Sequence, residues 1–421
     1  MTQDEIQKYA ESLAKKARSA SAKIRTIPAT LRNQALSEVA KALRENEKKI
    51  LEANARDLEN SQDKLSPAKL DRLTLNPERI ENMARGVEEI AALPDPLDKV
   101  LEKRTLQNGV DISRVTVPLG CIFFIYESRP NVTIDGAALC FKSGNAVVLR
   151  GGKESLHSSQ ILAQIFRDAL TKTGIDSDAV QLVEEPDHAV VSALLKQSEY
   201  LDLVIPRGGE RLIRAVVEQS SIPVIKHFNG ICHIYVDKSA NLEMAARIVE
   251  NAKTQRPGTC NAMETLLLNS SLSDSDMKAI LDPLRAKKVE MFGDAKTRER
   301  IPDIKDIGEN ANYHHEYLAL QCSVRIVDGV KEACKHIEEF SSRHTEAVLA
   351  EDTEVQRYFL RNVDSSSVMI NASTRLADGG IYGLGAEVGI STDKIHARGP
   401  MGIESLCTYK WILNGNGQLR N

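Results

Sequence analysis

The sequence predicts an α/β protein in which parallel sheets are covered by helices on both faces. Short apolar runs without polar alternation recur after residue 118, and most of them are separated by helical stretches. Such runs are typical of strands in parallel sheets that are buried on both sides. At 421 residues the chain is too long for one ordinary core, so two or three domains are expected.

The amino-terminal part is predicted to be helical over about the first ninety residues, because Leu36, Val39 and Leu43 recur at helical spacing. Two prolines in ALPDPLDKV end this pattern. In the following segment, LEKRTLQNGVDISRVTVPLG, an Asn-Gly pair separates two arms rich in β-branched residues, which indicates a β-hairpin.

Strands and helices then alternate. The predicted strands are GCIFFIY, NAVVLR, AVQLVE, LDLVIP, IPVIKHF, CHIYVD, METLLLN, SVRIVDG and the tail LCTYKWILNGNGQLRN. The predicted helices include SLHSSQILAQIFRDALTKTG with Gly174 as its C-cap, SANLEMAARIVENAK, and residues 274–286 and 329–339.

Composition excludes several classes of protein. The formal net charge of −4 argues against a nucleic-acid binder, which usually carries a basic stripe. No apolar stretch approaches the roughly 20 residues of a membrane helix, and no signal peptide is apparent. Seven widely spaced cysteines without a CxxC motif suggest neither a disulfide framework nor a zinc ribbon, and a metal site is not expected. A cytoplasmic enzyme fits best.

Two glycine pairs follow predicted strands and are accompanied by cations. They are Arg150, Gly151, Gly152 and Lys153, and Arg207, Gly208 and Gly209. Glycines at a strand-to-helix turn let backbone N–H groups approach a phosphate. Purely structural tight turns are the alternative interpretation, since neither loop is G-x-G-x-x-G. The cations favour NADP over NAD, because a 2′-phosphate requires a positive partner.

Cys260 lies in KTQRPGTCNAMETLLLN, shortly after a Pro-Gly pair and before a predicted strand. A buried, inert filler is the ordinary role of a cysteine. Its place on a turn, with Arg256 four residues earlier, instead favours a reactive thiolate. Cys121, Cys140 and Cys232 lie in or beside apolar segments and are predicted to be structural.

Long blocks of the sequence resemble the γ-glutamyl phosphate reductase family of the aldehyde dehydrogenase superfamily. The blocks include VPLGCIFFIYESRPNVTIDGAALCFKSGNAVVLRGGKES, NAKTQRPGTCNAMETLLLN, VMINASTRLADGGIYGLGAEVGIST and KIHARGPMGIESLCTYKWI. The resemblance implies a Rossmann-like cofactor domain at 1–98 and 118–256 and an α/β catalytic domain at 257–405. It also implies a small β-flap for homo-oligomerisation at 99–117 and 406–421.

The resemblance implies that Cys260 is the nucleophile and that Asn131 donates to the oxyanion. A turn residue after Pro130 is the alternative role for Asn131. Glu387 aligns with a glutamate that holds the nicotinamide ribose, and a buried structural acid is its alternative role. The substrate's α-carboxylate requires a cation, and the candidates are Arg129, Arg375 and Arg398.

The implied reaction is the NADPH-dependent reduction of L-glutamate 5-phosphate through a cysteine thioester, on the path to proline. Functional coupling to γ-glutamyl kinase is implied too, since the acyl phosphate is labile. A hydrolytic aldehyde dehydrogenase is the main alternative, and His227 occupies the position of the water-activating glutamate. A non-catalytic nucleotide-binding oligomer is a third interpretation.

Overall fold

The computed structural model describes residues 1–62, 64–308 and 313–419. Helices make up much of this part of the chain. In order they are α1 (Gln3–Ile24), α2 (Ala29–Glu45), α3 (Glu47–Ser61), α4 (Pro67–Leu73), α5 (Pro77–Ala92), α6 (Asn131–Lys142), α7 (Leu156–Lys172), α8 (His188–Leu194), α9 (Glu210–Gln219), α10 (Leu242–Thr254), α11 (Asp274–Ala286), α12 (Ala295–Arg300), α13 (Val330–Phe340) and α14 (Thr353–Asn362).

The strands of the described residues are mostly short. In order they are β1 (Val100–Thr105), β2 (Asp111–Pro118), β3 (Cys121–Tyr126), β4 (Ala146–Arg150), β5 (Val180–Leu182), β6 (Leu203–Arg207), β7 (Cys232–Val236), β8 (Met263–Asn269), β9 (Glu290–Gly293), β10 (Lys305–Asp306), β11 (Gln321–Val327), β12 (Thr345–Leu349), β13 (Ser367–Ile370), β14 (Gly389–Ser391), β15 (Gly399–Met401) and β16 (Cys407–Asn414).

The chain divides into two compact units. The first comprises Met1–Lys226, Leu384–Gly389 and Met401–Asn421, and the second comprises His227–Gly383 and Ile390–Pro400. This division places residues 227–256 in the second unit, whereas the sequence predicted a boundary at 256. The reason is that β7 pairs with β8 and β12, so β7 and the helix that follows it belong to the second sheet.

The first unit contains a four-stranded parallel sheet in the order β5-β4-β3-β6. Every residue of β3 and β4 is buried, as expected for strands covered on both faces. The strand order reverses at β3, because β4 and β5 lie on one side of it and β6 on the other. Such a reversal creates a crevice at the carboxyl ends of the strands, where ligands of parallel sheets bind.

The first unit also contains the predicted hairpin. β1 and β2 pair antiparallel, and β16 pairs with the other edge of β2, which gives a three-stranded sheet. In the hairpin loop Leu106 accepts a hydrogen bond from the N–H of Gly109, and only Gly109 has a positive φ, +80°. A two-residue type I′ turn needs positive φ at both central residues, so the Asn-Gly pair forms a longer loop instead.

The second unit is built on a seven-stranded parallel sheet in the order β10-β9-β11-β8-β7-β12-β13. Alternate residues of its central strands enter two different cores. Ile234 and Leu266 pack with residues of α10 and α11, whereas Tyr235 and Leu267 pack with residues of α13 and α14. Helices therefore cover both faces, as the unalternated apolar runs predicted.

One predicted strand is wrong. IPVIKHF, residues 222–228, forms only an isolated bridge between Val224 and Val204. Pro223 has no N–H to contribute to a ladder, which limits the pairing to the bonds on either side of Val204. Among the described residues, no helix has the combination of length and apolar character that crossing a membrane requires.

Candidate active site

Four loops of the second unit meet at the amino-terminal edge of its sheet. Gly230, Cys260, Glu316 and His344 each lie within a few residues before β7, β8, β11 and β12 respectively. These four strands are neighbours in the order β11-β8-β7-β12 and run parallel. Because parallel strands begin at the same edge, the topology brings the other three residues together around Cys260, the predicted nucleophile.

Gly230 lies directly against the backbone of Cys260. A Cβ atom built on Gly230 would be 1.8 Å from the carbonyl oxygen of Cys260 and 2.5 Å from its Cα. The N–H of Gly230 donates to Glu316 Oε1 at 2.8 Å, and Cys232 Sγ donates to the Cys260 carbonyl at 3.2 Å. The nucleophile loop is therefore held by a contact that only glycine permits.

The other side of the loop is fixed by the side-chain amide of Asn261, which is 4% exposed. Its Oδ1 accepts hydrogen bonds from Thr259 Oγ1 at 3.0 Å and from Arg375 Nη1, and its Nδ2 donates to the carbonyl of Ala377 at 2.9 Å. Arg375 Nε also donates to Gln255 Oε1 at 2.9 Å. Arg375 thus bridges the residues before and after the turn.

The exposure of the cysteines separates Cys260 from the other six. All seven lie in the described residues, and Cys260 alone is not buried. Burial raises the pKa of Cys232 well above its usual value and raises the pKa of Cys121 to about 12, which keeps both thiols protonated. The predicted structural roles of Cys121, Cys140 and Cys232 are consistent with this burial, and Cys260 sits on the turn expected for it.

A buried ion pair joins the two elements that flank the loop. Lys253 Nζ, at the end of α10, lies 3.0 Å from Glu264 Oε2 near the start of β8, and both side chains are fully buried. Glu264 also accepts the N–H of Tyr317 at 3.2 Å. Burial raises the pKa of Glu264 to about 7, and the positive charge of Lys253 opposes this rise.

His227 is half-buried, and its Nδ1 lies 3.1 Å from the carbonyl oxygen of Ile390. A carbonyl oxygen only accepts, so Nδ1 carries the proton in this contact. The His227 ring also packs edge-on against the His344 ring at 5.9 Å. Burial, followed by the nearby His227, lowers the pKa of His344 to about 3, so His344 is neutral.

The three arginines predicted as carboxylate binders have different surroundings. Arg398 Nη1 donates to Asp364 Oδ1 at 2.7 Å. Lys394 and Arg398 together lower the pKa of Asp364 to about 2. Arg398 is therefore engaged in a structural ion pair. Arg375 lies on the 3₁₀ turn Thr374–Leu376 and donates to Asn261, the residue after Cys260, whereas Arg129 is exposed on a loop of the first unit.

In the first unit, both glycine pairs follow the carboxyl ends of parallel strands. Gly151 and Gly152 follow β4, and Gly208 and Gly209 follow β6, with β3 between these strands. A Cβ on Gly152 would lie 3.2 Å from the backbone N of Ser128, and one on Gly208 would lie 2.8 Å from the side chain of Glu127. Both glycines therefore lie close to the segment that follows β3, at the carboxyl ends of the strands where the strand order reverses.

The two cations beside the first glycine pair differ in their exposure to solvent. Arg150 is 7% exposed and donates to the carbonyls of Gly151 at 2.6 Å and Pro186 at 3.1 Å. These contacts turn its guanidinium towards the backbone carbonyls, and its predicted role in cofactor binding stays a prediction. Lys153, by contrast, is exposed on the short 3₁₀ turn before α7.

Asn131 begins α6 rather than a turn, and its Nδ2 donates to Asp135 Oδ2 at 2.9 Å. An amide nitrogen carries two hydrogens, so this bond uses one and orients the other. Burial raises the pKa of Asp135 to about 6, against the lowering effects of Asn131 and Arg207. Arg207 Nη1 also donates to the backbone carbonyl of Glu387 at 3.4 Å, and Glu387 is half-buried.

Sequence reasoning predicted Cys260 as the nucleophile but did not single out Gly230, Glu316 or Asn261, whose side chains or backbone surround it. The Asn-Gly of HFNGICHIYV precedes a strand and could have been recognised as a turn. Its contact with a residue thirty positions later depends on the strand order and has no local signal. No group of His, Cys, Asp and Glu side chains in the described part of the chain could hold a metal ion.

Comparison with known proteins agrees with the fold. A family model described as the aldehyde dehydrogenase family matches residues 2–299, which is more than half of the chain. The class of protein is therefore that of the aldehyde dehydrogenases.

The relatives that match most of the chain at 41% to 50% identity share one name. The chain is 50% identical over 375 residues to γ-glutamyl phosphate reductase of Paramagnetospirillum magneticum, with 89% of this chain and 88% of the relative covered. It is 49% identical to the enzyme of the same name from Moorella thermoacetica, with 89% and 90% covered. The crystal structure of γ-glutamyl phosphate reductase from Thermotoga maritima superposes with a TM-score of 0.96 at 41% identity, with 98% and 100% covered. The chain belongs to the γ-glutamyl phosphate reductase family.

The contact between Gly230 and Cys260 leads to a first prediction. Gly230→Ala should reduce kcat/KM by at least about 100-fold, because the new methyl group must push the nucleophile loop away from its position. Thermal unfolding and steady-state kinetics of the purified variant measure the effect.

Gly258→Ala is the matched control, since it lies in the same loop and its Cβ would meet nothing closer than Leu318 O at 3.7 Å. It should keep kcat/KM within about threefold of the original protein. Equal losses in the two variants would contradict the importance of the close contact.

Asp135 generates a pH-dependent prediction. Its pKa is raised in the folded protein, so ionisation opposes folding, and the stability that this group contributes falls as pH rises from about 4 to about 6. Asp135→Asn should therefore raise Tm most above pH 6, with the gain fading towards pH 4. Thermal unfolding across pH measures this. Asp168→Asn on the exposed face of α7 is the control, and a gain independent of pH would contradict the prediction.

Proposed function

We propose that this chain catalyses the reduction of L-glutamate 5-phosphate to L-glutamate 5-semialdehyde and inorganic phosphate. One observation carries the proposal. Cys260, the cysteine that alone among the seven is not buried, lies on a turn held from both sides, by Gly230 and by Asn261. That turn belongs to a chain that is 50% identical to a relative named γ-glutamyl phosphate reductase.

Cys260 acts as the nucleophile. Its thiolate attacks the C5 carbonyl, a carbon–sulfur bond forms, and the carbon–oxygen bond to phosphate breaks to leave a thioester. The nicotinamide cofactor, when bound, supplies the hydride that reduces the thioester carbonyl. The carbon–sulfur bond then breaks, which releases the semialdehyde and restores the thiolate.

Membership of the aldehyde dehydrogenase family supports a nicotinamide cofactor, and we propose NADP(H) as the form used. The paired glycine loops at the carboxyl ends of β4 and β6 suit a pyrophosphate. Lys153 is exposed beside the first pair and is the preferred partner of the 2′-phosphate, since Arg150 is turned inward.

Asn131 and Glu387 keep the roles that the family resemblance suggested. Asp135 orients the Asn131 amide, which is proposed to donate to the oxyanion that develops on the substrate. Glu387 is proposed to hold the nicotinamide ribose. Its half-buried side chain and the contact of its backbone with Arg207 keep it at the edge of the crevice that follows β6.

We also propose a homo-oligomer assembled through the sheet of β1, β2 and β16. Apolar side chains on its outer strands are unusually exposed: Leu101 by 50%, Trp411 by 44% and Leu413 by 59%. A three-stranded sheet with exposed apolar residues is expected to pair with another surface. We also propose functional coupling to γ-glutamyl kinase, because the acyl phosphate that the reaction consumes is labile. A cytoplasmic location is proposed as well, on the grounds of composition given above.

The test runs the reaction in reverse, with L-glutamate 5-semialdehyde and NADP⁺, and follows absorbance of the reduced cofactor. The rate should require inorganic phosphate and should vanish in Cys260→Ala. His227→Ala should keep most of the activity, because phosphate rather than water releases the thioester.

A rate that is indifferent to phosphate would contradict the proposal. It would show that water cleaves the thioester, as in a hydrolytic aldehyde dehydrogenase. Loss of that phosphate-independent rate in His227→Ala would then identify His227 as the base.

A further inference from the structure

We propose that Arg375, assisted by Arg256, binds the phosphoryl group of the substrate and inorganic phosphate in the reverse reaction. This inference rests on the proposed function and changes the role predicted for Arg375, which was to bind the α-carboxylate. All the residues involved belong to the second unit.

The position of Arg375 relative to the nucleophile supports the assignment. Its guanidinium is tied to Gln255 on one side of the turn and to Asn261, the residue after Cys260, on the other. In an attack geometry, the thiolate lies about 3–3.5 Å from the reacting carbon. The phosphoryl group is joined to that same carbon through a single oxygen, so it must lie next to the turn as well.

The α-carboxylate lies at the opposite end of the substrate. Three further carbon atoms separate it from the reacting carbonyl, so its binding residue must be remote from the turn when the substrate is extended. A guanidinium fixed by the amide of Asn261 is therefore better placed for the leaving group than for the α-carboxylate.

The charges around the turn also suit a dianion. Burial, followed by the positive charge of Arg256, lowers the pKa of Arg375. Asp378 is the nearby acid that opposes this lowering. A phosphoryl group carries up to two negative charges at neutral pH, and its binding would relieve the repulsion through charge-assisted hydrogen bonds.

The backbone geometry places Arg256 in the same turn. Thr259 Oγ1 lies 2.8 Å from the carbonyl oxygen of Arg256 and 3.0 Å from Asn261 Oδ1, and its one hydrogen is shared between these two acceptors. The Thr259 hydroxyl therefore contacts both ends of the segment from Arg256 to Asn261. Arg256 is exposed and Arg375 is half-buried, and both lie within the hydrogen-bonded residues that surround Cys260.

The reverse reaction separates the two roles, because the semialdehyde retains the α-carboxylate and lacks the phosphoryl group. Steady-state kinetics are measured with phosphate varied at fixed semialdehyde, and then with semialdehyde varied at fixed phosphate. The variants are Arg375→Gln and Arg256→Gln. The control is Arg357→Gln, which removes an exposed arginine of α14 that pairs with Glu354.

In Arg375→Gln the KM for phosphate should rise about 10- to 100-fold, the loss expected when a hydrogen bond to a charged group is removed. The KM for semialdehyde should change by less than about threefold. Arg256→Gln should show a smaller rise in the KM for phosphate, and Arg357→Gln should show neither change. A raised KM for semialdehyde with an unchanged KM for phosphate would overturn the inference and restore the α-carboxylate role.

A second measurement applies if Arg375→Gln is inactive. Inorganic phosphate should slow the alkylation of Cys260 by iodoacetamide in the original protein and should fail to do so in Arg375→Gln. Equal protection in both would overturn the inference. If instead the original protein shows a reverse rate that needs no phosphate, the proposed function itself fails.

Discussion

The contact between Gly230 and the carbonyl of Cys260 is the constraint on which the candidate active site depends. The carbonyl lies where a side chain at position 230 would be, so the loop before β7 and the loop before β8 can lie together only if residue 230 is glycine. The N–H of Gly230 is satisfied by Glu316, and the Cys260 carbonyl is satisfied by the buried thiol of Cys232. The position of Cys260, the proposed nucleophile, is therefore set by contacts with the neighbouring loops.

The candidate site residues lie at the carboxyl-terminal edge of the first sheet and at the amino-terminal edge of the second. In the first unit, the glycine loops follow the carboxyl ends of β4 and β6, where the strand order reverses and parallel sheets commonly bind nucleotides. In the second unit, Cys260, the proposed nucleophile, precedes β8 and lies at the amino-terminal edge of the sheet. Its position is maintained by hydrogen bonds and by the buried Lys253–Glu264 pair. Replacing only one partner of such a pair leaves an unpaired buried charge and lowers the stability of the fold. The pair therefore keeps the end of α10 next to the start of β8.

Much of the fold could be predicted from local patterns. The helix predicted at 274–286 matches α11, and the unalternated apolar runs did form parallel sheets. Cys260 was placed on a turn because a Pro-Gly pair and an apolar strand enclose it. These features depend on residues close together in the sequence, where backbone preference and periodicity are decisive.

The remaining features depend on tertiary contacts that no local pattern encodes. Arg150 looked like a surface cation, yet the carbonyls of Gly151 and Pro186 draw it inward. Arg398 and Arg375 were equivalent in the sequence, and only the structure shows that Asp364 engages the first and Asn261 the second. The 222–228 segment was apolar enough for a strand, but Pro223 leaves it with a single bridge.

The most direct test of the central claim is to observe the covalent intermediate. The protein is mixed with L-glutamate 5-semialdehyde and NADP⁺ without phosphate, quenched in acid and analysed by peptide mass spectrometry. The account predicts a γ-glutamyl thioester on Cys260 that disappears when phosphate is added before the quench. An adduct on another residue, or one on Cys260 that water removes as fast as phosphate does, would contradict the account.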